Sequence, residues 1–67
     1  MNISDFWDRM NATFGETYAR SVASDQEFSS LDGRTIEEAL SSGRDIKAIW
    51  KVVCVAYPDR VPSRLIR

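Results

Sequence analysis

The stretch Asp45–Tyr57 constrains this chain more than any other. Ile46, Ile49, Trp50, Val53 and Tyr57 recur at the spacing of one helix face. Ala48, Val52, Cys54, Val55 and Ala56 widen that face until little but Lys47 and Lys51 remains polar. A helix apolar over most of its circumference must be covered by other elements. The spacing predicts an all-α fold: a compact bundle of four or five short helices, with the helix at about 45–57 at its centre.

Length sharpens the expectation. Sixty-seven residues make a single domain, and so short a chain buries only about 60% of its unfolded surface. The single cysteine forms no disulfide within the chain, so stability must come from dense helix packing or from a partner. No basic segment followed by an apolar run opens the chain, and the longest apolar run, Val52–Tyr57, is far below the ~20 residues of a membrane span. The expectation is a cytoplasmic protein without a membrane partner, and a lone thiol fits a reducing compartment.

In chain order, Ser4 reads as an N-cap followed by Asp5 and Asp8, where the helix dipole favours acids. Phe6, Trp7, Met10 and Phe14 continue at helical spacing to Gly15, so helix one runs over about 5–13. Glu16 opens a second segment with Tyr18, Ala19, Val22 and Ala23 facing inward. Ser24 and Glu27 have the spacing of a capping box. Two readings of 16–31 stay open: a break near Ser24 with a short third helix to Leu31, or one bent helix. Asp32-Gly33 marks a turn. Thr35 and Glu38 form a second capping box before a short helix over 36–42, with Ile36, Ala39 and Leu40 inward. Asp45 caps the central helix and Pro58 ends it. The valine-rich run 52–55 is not a strand, because the helical phase continues through it and no second strand is there to pair. The tail, 58–67, is expected to be irregular, with Val61, Leu65 and Ile66 packing back on the bundle.

Charge is uneven. Residues 1–40 hold eight acids against Arg9, Arg20 and Arg34, a balance of −5. Residues 41–67 hold Arg44, Lys47, Lys51, Arg60, Arg64 and Arg67 against Asp45 and Asp59, a balance of +4. The plainer reading is that the halves attract each other within the fold. The other is a charged partner.

The residue set excludes much chemistry. Without histidine there is no Ser-His or Cys-His nucleophile pair, no imidazole acid or base and no His-ligated metal. No glycine-rich phosphate loop is present. Cys54 sits among apolar neighbours, which raise a thiol pKa, and reads as a core residue. Glu37 and Glu38 are adjacent, so they diverge by about 100° on a helix and do not converge on one substrate atom. The pair of helices between Thr35 and Tyr57 invites comparison with a helix-turn-helix. Aligning Gly43 with the glycine of that turn puts Glu38 and Ser42 where the motif needs buried apolar side chains, and the second helix is too apolar to enter a groove.

What remains is a candidate partner surface of Trp7, Lys47, Lys51, Arg60 and Arg64. Phe6 and Trp7 are neighbours and do not both point into a small core, so Trp7 is either core or contact. The expected function is that of a small non-catalytic protein-binding or regulatory module, with no cofactor and no metal. Its partner is another protein or a second copy. A nucleic-acid accessory role using the basic C-terminal part ranks second, sequence-blind and salt-sensitive because no aromatic platform accompanies the charges.

The residues Phe14-Gly15, Tyr18, Ser21, Asp25, Leu31, Gly33-Arg34-Thr35, Glu38-Ala39-Leu40, Gly43, Trp50 and Cys54 together resemble a known family. Over about residues 1–62 the chain is similar to the short actinobacterial proteins of the domain of unknown function 3046 family. The resemblance implies a small, all-helical, cytoplasmic protein with no assigned activity and no catalytic residues to transfer. Similar chains place proline after the aspartate that caps the central helix, where this chain has Ile46. They carry an aromatic residue near the C-terminus, where this chain has Leu65 and Ile66.

Overall fold

The structure, a computed structural model, describes residues 1–66. Among them, four α-helices are joined by one glycine, a miniature hairpin and a tight turn: α1 (Ile3–Phe14), α2 (Glu16–Asp25), α3 (Ile36–Ser41) and α4 (Ile46–Ala56). The all-α expectation holds, and α1 packs most extensively on α2.

Helix α1 begins earlier than Ser4 indicated. The Asn2 side chain accepts a hydrogen bond from the Asp5 amide at 2.8 Å, which makes Asn2 the cap and draws Ser4 into the first turn. Asparagine and serine cap about equally well, so position alone did not decide between them. Phe6, Met10 and Phe14 form the buried face of α1. Gly15 ends α1 and starts α2 in a single residue. Its amide donates to the Asn11 carbonyl and its own carbonyl accepts from the Ala19 amide, each at 2.8 Å. Its φ of 85° is one that side chains rarely tolerate.

Neither reading of 16–31 survives intact. Helix α2 runs through Ser24, whose hydroxyl donates to the Arg20 carbonyl at 3.0 Å instead of capping a new helix. Serine makes such i−4 bonds inside helices, and this one competes with the expected capping box. Beyond Gln26 the chain forms two-residue strands, β1 (Glu27–Phe28) and β2 (Arg34–Thr35), paired antiparallel with Glu27 opposite Thr35. A 3₁₀ turn at Ser29–Leu31 lies between them. Asp32 and Gly33 both take positive φ, 60° and 78°, and reverse the chain. The hairpin drives Leu31 into the core.

The hairpin also delivers Thr35 to the start of α3, where the capping box is complete. The Thr35 hydroxyl accepts from the Glu38 amide at 3.1 Å, and the Glu38 carboxylate accepts from the Thr35 amide at 2.9 Å. A six-residue helix depends heavily on such a cap. Thr35→Ala is expected to cost about 1 kcal/mol, lowering Tm by about 4–8 °C in a calorimetric or circular-dichroism melt.

Helix α4 packs against α1, α3 and the 3₁₀ turn. Asp45 caps it, accepting from the Ala48 amide at 3.3 Å. Ile49, Trp50, Val53 and Cys54 are buried, but the helix is not sheathed all round. Val55 is 80% exposed, and Ala48 and Ala56 are exposed too. Three other short helices and a hairpin do not supply enough surface to enclose a fourth helix in so small a domain. Tyr18, expected inward, is 47% exposed and lays its ring edge-on to Phe14 with centroids 5.9 Å apart.

The segment after Pro58 does return to the bundle. Val61 is buried and Leu65 packs against the core, whereas Ile66 is half exposed. A second 3₁₀ turn, Ser63–Leu65, presents the Leu65 carbonyl to two donors: the Trp50 indole N–H at 2.7 Å and the Arg9 guanidinium at 3.1 Å.

Candidate functional site

The five residues singled out from the sequence fall on different parts of the molecule. Trp7 is half-buried on the flank of α1, packed edge-on to Phe6 with centroids 5.6 Å apart. It packs partly against the core and also lines an open depression of about 210 Å³, shared with Asn11, Glu16 and Arg20. Arg60 lies over two rings, with its guanidinium carbon 5.6 Å from the Phe14 centroid and 5.4 Å from that of Tyr18. Arg64 is exposed in the second 3₁₀ turn, and Arg67 lies outside the described residues.

Lys47 and Lys51 are the pair that the fold does bring together. They stand one turn apart on the exposed side of α4, and neither forms an ion pair with a described residue. Ala48, half-buried Val52 and exposed Val55 lie beside them. The outer face of α4 is thus a strip of two cations and three small aliphatic side chains. Sequence reasoning missed Val55, because the apolar run around it pointed to the core.

Attraction between the two halves of the chain is realised at one position among the described residues: Arg44 pairs with Asp32. Both groups are substantially exposed, so this bridge contributes between zero and about 1 kcal/mol. The expected charge matching inside the fold is otherwise absent at α4, and the lysine strip faces solvent.

Cys54 is 9% exposed. Burial pushes its thiol above the ordinary cysteine pKa, and the opposing influence of Arg9 is smaller. A thiol raised in the folded state leaves stability untouched below the free-thiol pKa. Above that pKa, the unfolded chain ionises first and stability falls. Native Cys54 is expected to react with a polar disulfide reagent at least about tenfold more slowly than in denaturant. Equal rates in both states would place the thiol on the surface.

No group of three or more His, Cys, Asp or Glu side chains among the described residues is arranged to hold a metal, and no helix is long and apolar enough to cross a membrane. The fold and its exposed strip define a small all-α domain whose distinctive feature is a surface. The chain belongs to the family described as Protein of unknown function (DUF3046), whose pattern covers residues 1–64. This agrees with the resemblance carried by the Gly33-Arg34-Thr35, Glu38-Ala39-Leu40, Trp50 and Cys54 residues. No curated protein and no solved structure matches the chain.

Proposed function

We propose that this chain is a small non-catalytic protein-binding module of the cytoplasm, and that the outer face of α4 is its docking surface. One observation carries the reading. Val55 is 80% exposed on a helix whose other face makes the core, and Lys51 and Lys47, which have no ionic partner among the described residues, stand one and two turns before it. A β-branched residue on a solvent-facing helix position gains nothing from burial and lowers helix propensity slightly. Contact with another molecule accounts for its presence there.

The nucleic-acid reading ranks behind. Its cations are dispersed, with Arg60 engaged by the Phe14 and Tyr18 rings and Arg44 by Asp32. The test is site-specific photo-crosslinking from position 55 of the full chain in its native cell. Crosslinks to one protein species, lost in Lys51→Glu and retained in Glu37→Lys, support the reading. Crosslinks to nucleic acid, or none above those from a solvent position on α2, overturn it.

A further inference from the structure

We infer that the outer face of α4 takes an acidic helical segment of another protein, one that sets two carboxylates a turn apart against Lys47 and Lys51 and an aliphatic side chain against Val55. This rests on the docking reading above and names the chemistry of its occupant.

Three observations lead there. The first is the position of Lys47, the second residue of α4. A cation in the first turn of a helix opposes the helix dipole, so folding gains nothing from it. Asp45 already caps the helix end, so a carboxylate from outside answers the lysine. The second is symmetry. A two-fold dimer through this face would lay α4 against its own copy, and an antiparallel crossing centred on Lys51 would set Lys51 against Lys51. The face carries cations and no anion, so it is not complementary to itself.

The third is area. Helix α4 has 11 residues, so its outer strip is about 16 Å long and about 10 Å wide. That is well short of the ~800 Å² per partner that a stable interface of standard size buries. A second folded subunit held by this strip alone has too little contact, whereas one helix laid along it fills it. The acidic N-terminal half of the chain disfavours approach of an acidic partner to that half. Such a charge asymmetry steers encounter more than it adds affinity.

The test uses the full chain, isotope-labelled for NMR. The probe is a stapled helical peptide presenting Leu, Glu, Glu and Leu at four-residue spacing, so that it fits α4 in either direction. Saturable shifts confined to residues 47–55 are expected. Binding should weaken at least about fivefold between low and moderate salt, and at least about tenfold in Lys51→Glu. Val55→Glu should weaken it similarly while melting like the parent, and Arg20→Glu on α2 should leave it unchanged. Equal binding by the peptide with Gln in place of Glu, absence of shifts at about 1 mM peptide, or sedimentation showing a dimer through α4 overturns the inference. If crosslinks from position 55 still reach one protein after such a failure, the docking reading stands and only the acidic occupant is wrong.

Discussion

Trp50→Ala is expected to leave the chain without a cooperative thermal transition. The indole is 1% exposed and meets Phe6 edge-on with centroids 6.1 Å apart. Its N–H holds the Leu65 carbonyl at 2.7 Å, and the Arg9 guanidinium lies 5.9 Å from its ring centroid. Truncating such a side chain costs about 3–5 kcal/mol. Small domains have about 5–15 kcal/mol in all, and one of this length lies toward the low end. Trp50→Phe separates the contributions. It keeps most of the packing against Phe6 but loses the donor, so an intermediate loss of about 1–3 kcal/mol is expected. A cooperative melt of Trp50→Ala near that of the parent would show that the core does not depend on this residue.

Ending the chain at Arg60 is the second large effect. It removes buried Val61, whose side chain stabilises by about 1.5–3 kcal/mol. It also removes the Leu65 carbonyl and leaves the Trp50 N–H unsatisfied, at about 1–3 kcal/mol. A combined loss of about 4 kcal/mol would bring the domain to the edge of folding. Leu65→Gly is the informative companion. It deletes the half-buried side chain but retains the carbonyl, so it should cost clearly less than the truncation in the same guanidinium titration. Equal costs would mean that the side chain, rather than the carbonyl, holds the segment.

The sequence displayed the fold through its strongest local signals. The Thr35–Glu38 capping box and the Asp45 cap lie where their spacing put them. So do the buried faces at Phe6, Met10 and Phe14 and at Ile49, Trp50 and Val53. What escaped were decisions between near-equal local options. Asn2 competed with Ser4 as a cap, and the Ser24 hydroxyl had a backbone acceptor in its own helix as an alternative to Glu27. The hairpin at Glu27–Thr35 was hidden because two-residue strands are too short to show alternation.

The candidate surface was legible only in part. Lys47 and Lys51 stood out as the polar edge of an apolar helix. Val55 did not, because periodicity reports which residues share a face and not whether the fold has an element left to cover it.

The Leu65 carbonyl is a backbone atom, and every residue type offers one. Substitution at position 65 therefore does not delete the acceptor that Trp50 and Arg9 share. The distance along the chain from the end of α4 to that carbonyl is what the arrangement reads. Only the buried Val61 side chain and the core-facing Leu65 constrain residue type in this segment, whereas a single-residue insertion or deletion between Pro58 and Leu65 shifts the acceptor itself away from Trp50. The hydrogen bond to Trp50 is specified by counting rather than by spelling.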